Sequence, residues 1–396
     1  MLRLLRSLAT TLCFICFIAP ALPQALRGAN HQAPAKPSSS PFQETGFLNR
    51  TVEVHGVSYR FQIYLPENFN RDERKKWPVI LFLHGRGERG GEGMWQTQIG
   101  LPQAVRDHPE RWPFVIVMPQ CPLPAFWTDP EMLTMALAAL DQEIDEFHLD
   151  PDRSYLTGLS MGGYGAWELA RLHPRHWAAV AIVAGGIFWS YAPERWHDEA
   201  TLPAEYARAL GRTPVWLFHG SDDYIVPPRQ SELLFEAFKA SGGRIRLWTY
   251  QGLKHDCWTR AYNEPELPRW LLAQHLEKNG HSELPALAER LTIPLHPPAI
   301  RLTAEAFESL LGDYRDSAGH FAITLFRQGD QLFARNQFGE LAELAADSPN
   351  SLFYPNGSST TRFTVERDTQ GRIVALLLRD DRDEERLDRA LSASNR

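Results

Sequence analysis

The sequence predicts an α/β protein with a mostly parallel central sheet, followed by a small antiparallel β domain. Nearly continuous apolar runs alternate with helix-like stretches between about residues 46 and 278. This alternation is typical of parallel strands that helices cover on both faces. From about Leu302 onward, short β-like runs are separated by polar turn signals such as RQGDQ and DTQG, which indicates hairpins.

The elements of the α/β part follow one another in order. TVEVHGVSYRFQIYLP reads as a hairpin that turns near Gly56. The apolar runs that predict buried strands are WPVILFLHG, PFVIVMPQ, RSYLTGLS, AAVAIVAGG, TPVWLFHG and RIRLWTYQG. The stretches with helical periodicity are EMLTMALAALDQEIDEFHL, MGGYGAWELARLHP, RQSELLFEAFKASGG and EPELPRWLLAQHLEKNG. Strands that alternate with helices favour right-handed crossovers in a parallel sheet.

Composition excludes several function classes. The 396 residues are 43% hydrophobic and 22% charged, which is ordinary for a folded chain of two or three domains. A formal net charge of −7 without a basic patch argues against a nucleic-acid partner. The sequence contains no H-E-x-x-H motif and no paired C-x-x-C motif, so neither a metal nor another cofactor is expected.

The N-terminus has the pattern of a secretory signal. Arg3 and Arg6 precede an apolar run over about residues 8–18, and small residues follow. The run is shorter than the roughly 20 residues that a spanning helix needs. Residues 1–25 are therefore predicted to be a signal peptide, cut near Ala21 or Ala25, and the protein is expected to be secreted or periplasmic. An uncleaved anchor is the alternative, and no later segment has the pattern of a membrane span.

One motif carries chemistry. Gly158-Leu159-Ser160-Met161-Gly162 fits G-x-S-x-G and lies between a predicted strand and a predicted helix. In that context the serine sits on a sharp turn that exposes its Oγ as a nucleophile. The N-terminal amides of the following helix favour negative charge nearby. A plain tight turn is the alternative.

A serine nucleophile needs a base, and the base needs an acid that orients it. The expected order along the chain is serine, acid, histidine, with the last two on loops after later strands. WLFHGSDDYIVP offers Asp222 and Asp223 as the acid, and YQGLKHDCW offers His255 as the base. His84 and His219 each precede a glycine at a strand end and are interpreted as structural, bonding to loop backbone.

The chemistry also needs donors for a developing oxyanion. The backbone N–H of Met161 directly follows the serine, and a second N–H is expected from the glycine-rich loop HGRGERGG. We assign that second donor to the backbone amide of Arg86.

These motifs together resemble a known family. LHGRGERG, GLSMGGYGAWELARLHP, HGSDDYIVP and KHDCWTRAYNEPELPRWLLAQ resemble the α/β-hydrolase esterases of the phospholipase/carboxylesterase and polyhydroxybutyrate-depolymerase/feruloyl-esterase type, including predicted peptidases. The resemblance covers about residues 50–278 and implies a Ser160–Asp223–His255 triad, with Asp223 chosen by the pattern H-G-x-x-D. Arg86 departs from the family, in which a small residue is usual.

The predicted domains are residues 26–44 as a flexible linker, 45–280 as the α/β-hydrolase catalytic domain, 281–300 as a Pro-rich connector and 301–396 as an accessory β-rich domain. The last of these resembles small β domains that are appended to some bacterial serine hydrolases. The sequence thus predicts a serine hydrolase of carboxylic esters that acts on an ester-bearing small molecule or polymer. A serine peptidase on the same scaffold and a catalytically silent binding protein are the alternatives.

The two cysteines outside the signal leave one question open. Cys121 and Cys257 both follow predicted strands, at the edge where the motifs meet. In an oxidising compartment they either form a disulfide or remain as two buried thiols.

Overall fold

The computed structural model describes residues 44–69, 76–188, 201–276, 281, 283–294, 296, 298–355, 361–379 and 384–390. The predicted signal peptide and residues 26–43 of the predicted linker lie outside this set.

Nine strands form one sheet in the order β1-β2-β4-β3-β5-β6-β7-β8-β9. They are β1 (Gly46–Val54), β2 (Val57–Leu65), β3 (Val79–Leu83), β4 (Val115–Pro119), β5 (Ser154–Leu159), β6 (Ala179–Val183), β7 (Val215–Gly220), β8 (Arg244–Tyr250) and β9 (Leu287–Ile293). The first two form the predicted hairpin, whose turn residues His55 and Gly56 both have positive φ. Strand β2 is antiparallel to β4, and all later neighbours are parallel, which confirms the predicted sheet.

Helices cover both faces of this sheet. They are α1 (Leu101–Asp107), α2 (Pro130–Phe147), α3 (Met161–Leu172), α4 (Leu202–Leu210), α5 (Arg229–Ser241), α6 (Trp258–Tyr262) and α7 (Glu266–Leu272). The buried side chains of α2 to α5 share one apolar core, and those of α1, α6 and α7 share the other. Within β3, Leu81 belongs to the first core and Phe82 to the second, so both faces of the strand are buried. No helix in the described part of the chain is long and apolar enough to cross a bilayer.

The segment predicted as a Pro-rich connector also contains a strand. Residues Leu287–Ile293 form β9, which pairs in parallel with β8 from Arg244↔Leu287 to Tyr250↔Ile293. All of its side chains are exposed or half-buried. An edge strand needs little apolar side-chain surface, because main-chain hydrogen bonds to its neighbour hold it, so the hydrophobic pattern did not indicate it.

The predicted C-terminal β domain is an eight-stranded antiparallel barrel. Helix α8 (Ala304–Leu310) precedes strands β10 (Gly312–Arg315), β11 (Ala322–Gln328), β12 (Gln331–Asn336), β13 (Leu341–Ser348), β14 (Ser351–Phe353), β15 (Arg362–Arg367), β16 (Ile373–Arg379) and β17 (Glu384–Arg389). Each strand pairs with the next, and β17 pairs with β10 to close the barrel. Its buried side chains, from Leu310 to Leu387, form an apolar core of their own.

Candidate active site

The turn around Ser160 is tight. Ser160 stands between the end of β5 and the start of α3, with φ 51° and ψ −118°. A positive φ strains a residue that carries a side chain, and such strain clusters at functional sites. A Cβ on Gly158 would lie 2.2 Å from the carbonyl oxygen of Gly162, and one on Gly162 would lie 1.9 Å from that of Leu83. A side chain at either position would clash with the backbone, so only glycine fits there. This explains why glycines stand on both sides of the serine.

The structure brings Ser160, His255 and Asp223 into one hydrogen-bonded chain. Ser160 Oγ lies 2.8 Å from His255 Nε2, and His255 Nδ1 lies 2.8 Å from Asp223 Oδ2. Each residue follows a different parallel strand, β5, β7 or β8, so the carboxyl edge of the sheet assembles the group. His255 packs edge-on against Trp258, with ring centroids 5.5 Å apart. The arrangement has the connectivity of a nucleophile, a base and an orienting acid.

The adjacent carboxylate, Asp222, has a different environment. Its side chain is exposed, and its Oδ1 accepts a hydrogen bond from Ser221 Oγ at 2.6 Å. Asp223 is 4% exposed, and its Oδ1 accepts from the backbone N–H groups of Ile225 and Val226 at 2.9 Å each. Of the two acids that the residues alone left open, Asp223 is the one beside His255.

Hydrogen bonds keep Asp223 ionised. Burial by itself raises the pKa of this carboxyl group. Hydrogen bonds from His219, His255 and Val226 outweigh burial and hold the pKa of Asp223 well below its usual range. A buried carboxylate with these donors can stabilise a positively charged imidazole at His255.

The predicted oxyanion loop lies against Ser160. A Cβ on Gly85 would lie 3.8 Å from Ser160 Cβ and 2.8 Å from a methyl carbon of Leu159. Arg86 follows Gly85 directly and begins a single 3₁₀ turn, with its side chain exposed. Met161 is the first residue of α3 and is buried. The two backbone segments that were predicted to supply donors thus flank Ser160.

His84 anchors this loop, as predicted from its position before a glycine. Its Nδ1 lies 2.6 Å from the carbonyl oxygen of Gly85, and its Nε2 accepts a hydrogen bond from Cys121 N at 2.9 Å. Trp127 Nε1 donates to the carbonyl oxygen of His84 at 3.0 Å. Burial lowers the pKa of His84 to about 4, so the ring is neutral at pH 7 and Nδ1 carries its hydrogen.

Sequence reasoning missed three side chains around the site. His219 bonds to the backbone of Val226, as expected, but its Nε2 also lies 3.1 Å from Asp223 Oδ2. Buried Gln230 accepts hydrogen bonds from the backbone of the segment that follows β6 and donates to Tyr164 Oη of α3 at 3.1 Å. A Cβ on Gly85 would lie 2.9 Å from Glu88 Oε2, and burial raises the pKa of Glu88. Only His219 had a signal, because it stands four residues before the acid.

Cys121 and Cys257 are both buried free thiols. Cys121 packs in the core on one face of the sheet and Cys257 in the core on the other. Burial raises the pKa of Cys121 to about 12 and that of Cys257 further. Of the two alternatives for these residues, the disulfide is wrong and the pair of thiols is correct, because the sheet separates the two side chains.

Known proteins are similar to this part of the chain. The model of the prolyl oligopeptidase family matches residues 134–273, a range that includes Ser160, Asp223 and His255. Dipeptidyl-peptidase 5 of Porphyromonas gingivalis is 25% identical over 227 residues, which are 49% of this chain and 32% of that protein. Feruloyl esterase B of Thermothelomyces thermophilus is 24% identical over 209 residues, 44% of this chain and 68% of that protein. The chain thus spans about a third of the length of the peptidase.

A solved structure decides the fold. The crystal structure of a thermostable esterase superposes with a TM-score of 0.50 and 28% identity, over 58% of this chain and 63% of that chain. The nine-stranded part has the α/β-hydrolase fold. The resemblance predicted from the motifs is confirmed, since an esterase structure, the sequence of a feruloyl esterase and a peptidase family model all match the hydrolase domain.

Proposed function

We propose that the protein is a serine hydrolase that cleaves carboxylic esters through an acyl-enzyme. The observation that carries this proposal is the unbroken chain of hydrogen bonds from Ser160 Oγ through His255 to the buried carboxylate of Asp223. Ser160 is the nucleophile, His255 is the general base, and Asp223 holds the imidazole in the required tautomer. A chain that only binds its ligand has no need of this geometry, which argues against the silent binding protein.

The residues act in two half-reactions. His255 Nε2 takes the hydroxyl proton as Ser160 Oγ attacks the ester carbonyl carbon, and the carbonyl oxygen becomes an oxyanion. The backbone N–H groups of Arg86 and Met161 and the N-terminal end of α3 stabilise that charge. The intermediate collapses to the acyl-enzyme, and His255 protonates the departing alcohol. A water then attacks the acyl carbon with the same base, releases the acid and returns the proton to Ser160 Oγ.

Exposed apolar side chains support a substrate with an apolar group. They lie on loops that follow β3, β4 and β7, at the sheet edge that carries the triad. They are Met94, Trp95, Leu123, Tyr224 and Ile225, each more than half exposed. Aromatic and aliphatic surface of this kind suits the acyl group of an aromatic ester or the surface of a polyester. The feruloyl esterase among the relatives supports the same substrate class.

A peptide substrate is the second candidate. The match to the prolyl oligopeptidase family and the similarity to dipeptidyl-peptidase 5 favour it. The same triad cleaves an amide when His255 can protonate the leaving amine. The ester is preferred, because the chain covers 68% of the feruloyl esterase and only 32% of the peptidase.

The decisive experiment combines a probe with a substrate panel. A fluorophosphonate should label the wild-type protein at Ser160, and turnover should be highest on one of the p-nitrophenyl, feruloyl or acetyl-xylan esters. Ser160→Ala should abolish both signals. Ser309→Ala, in a helix next to the barrel, is the matched control and should keep both. Faster turnover of peptides than of every ester would favour the peptidase, and a chain without any adduct would favour the binding protein.

We further propose that the protein is exported after cleavage near Ala21 or Ala25. The pattern of charged, apolar and small residues in the first 25 positions supports this proposal. N-terminal sequencing of the protein recovered from its native host tests it. A mature chain that retains Arg3 and Arg6 would favour the uncleaved anchor.

A further inference from the structure

Asp223 Oδ2 lies between two imidazole rings. His255 Nδ1 approaches it at 2.8 Å, and His219 Nε2 approaches it at 3.1 Å. His219 is the last residue but one of β7 and is 1% exposed. We propose that His219 is a positioning residue of the triad, whose Nε2–H holds the acid in place for His255. This inference rests on the proposed function, since it assigns a residue to the same site.

The partners of His219 determine where its hydrogen lies. Nε2 faces two acceptors, Asp223 Oδ2 and the carbonyl oxygen of Val226 at 2.8 Å, so this nitrogen carries the hydrogen. Nδ1 then accepts a hydrogen bond from Ser231 Oγ at 2.7 Å. Ser231 is buried in the first turn of α5. The ring is therefore held on both sides in one tautomer, between the acid loop and the following helix.

The contact completes the set of donors around the carboxylate. Two backbone amides, of Ile225 and Val226, bond to Oδ1, while His255 and His219 bond to Oδ2. Loss of a hydrogen-bond donor raises the free energy of a buried carboxylate. The side chain then rotates or shifts to reach other donors. Such a rotation would displace the oxygen that orients His255. Removal of the His219 donor should therefore lower kcat, because the imidazolium of His255 forms in the transition state. It should change KM much less, because substrate binding does not involve this charge.

Two substitutions of His219 distinguish the effect of its hydrogen-bond donor from the effect of the space that its side chain fills. His219→Leu fills the space without a donor, while the side-chain amide of His219→Gln can donate from about the position of Nε2. We expect His219→Leu to lower kcat and the rate of fluorophosphonate labelling by ~10- to 100-fold. Effects of this size are common in metalloproteins when a residue that orients a ligating histidine is lost. KM should stay within about twofold. His219→Gln should recover most of both rates.

The matched control is His281, another buried histidine. Its Nε2 lies 3.2 Å from the carbonyl oxygen of Trp177, which precedes β6 at the opposite edge of the sheet from the triad. His281→Leu should keep the labelling rate of the wild type. If His219→Leu does not fold, Ser231→Ala provides the test. It removes only the hydroxyl that fixes the tautomer and should lower the labelling rate about two- to fivefold.

Each outcome decides the proposal. Loss in His219→Leu with recovery in His219→Gln supports it. Wild-type rates in His219→Leu, or in Ser231→Ala where the former does not fold, would overturn it. Equal losses in folded His219→Leu and His219→Gln would also overturn it, because packing rather than donation would then be responsible. A wild-type protein that the probe does not label would overturn the proposed function, and this inference with it.

Discussion

At the scale of single residues, Asp222 and Asp223 are neighbours in the chain with opposite surroundings. Asp223 is buried with donors on both oxygens, whereas Asp222 is exposed and bonds to the adjacent Ser221. The two carboxylates differ in surroundings because the turn after β7 directs Asp223 to His255 and Asp222 to solvent. The same substitution at Asp222 is therefore a matched control for a substitution at Asp223.

Asp223→Asn should reduce kcat by several orders of magnitude, whereas Asp222→Asn should leave it within about threefold. The neutral amide that replaces the Asp223 carboxylate cannot stabilise the imidazolium and favours the wrong tautomer of His255, an effect worth about 10⁴-fold in other triads. Steady-state kinetics on a soluble ester, with circular dichroism to verify the fold, measures both variants. Similar losses in the two variants would contradict the assignment of the acid.

The buried His84, in the predicted oxyanion loop, makes the stability of the protein depend on pH. The pKa of His84 is about 4 in the folded protein and near 6.5 in the unfolded chain, so only the unfolded chain binds this proton between those values. The contribution of neutral His84 to the free energy of unfolding is fully present above pH 6.5. It is lost as the pH falls toward 4, by up to about 3 kcal/mol.

His84→Gln should therefore lose less free energy of unfolding between pH 7 and pH 5 than the wild type, although it is less stable at pH 7. Urea unfolding of both proteins at the two pH values measures the difference. His173→Gln, an exposed residue at the end of α3, is the control and should keep the wild-type difference. An unchanged pH dependence in His84→Gln would refute the argument from burial.

At the scale of elements, the junction of β5 and α3 is tightly constrained by backbone contacts. The backbone of α3 packs so closely against the end of β3 that a Cβ on Gly162 would lie only 1.9 Å from the carbonyl oxygen of Leu83. Backbone cannot move away as a flexible side chain can. The first amides of α3 lie beside Ser160, because the helix begins at the next residue, and negative charge develops there in the proposed reaction.

Gly162→Ala should destabilise the protein by at least about 2 kcal/mol, because overpacking against backbone forces the strand and the helix apart. Gly91→Ala is the control, since nothing lies within 4 Å of the position of its Cβ. Thermal and urea unfolding of both variants measures the effect. A Gly162→Ala protein as stable as Gly91→Ala would mean that the turn accommodates a side chain.

At the scale of the whole molecule, the hydrolase domain has an apolar core on each face of its sheet, and the barrel has a separate core of its own. The chain between them first adds β9 to the edge of the hydrolase sheet. In a shortened chain without the barrel, stability should therefore depend mainly on whether the chain ends before or after β9. Without β9, the main-chain groups of β8 would form an open sheet edge.

A chain that ends at Pro298 keeps β9 and should fold and cleave small soluble esters at nearly the rate of the full protein. A chain that ends at Leu284 lacks β9 and should be less stable and more prone to aggregate. Size-exclusion chromatography, thermal unfolding and esterase kinetics compare the two. Loss of activity in a well-folded chain ending at Pro298 would show that the barrel contributes to the active site.

The sequence by itself determined the features that local patterns encode. Alternating buried strands and helices predicted the parallel sheet, and G-x-S-x-G in its strand-to-helix context predicted the turn at Ser160, because both depend on residues close together in the chain. The antiparallel character of the C-terminal domain followed from its turn signals in the same way. His255 and the two candidate acids could be named because parallel strands bring their carboxyl ends to one edge.

Only the tertiary structure decided what depends on the directions of side chains from distant segments. The residues around the acid left Asp222 and Asp223 open, and the packing of the loop after β7 against His255 separates them. The same packing gives His219 its second acceptor. Strand β9, the closure of the barrel and the separation of the two thiols by the sheet are equally non-local. Each depends on which segments meet in space, and that is set by the packing of the whole chain.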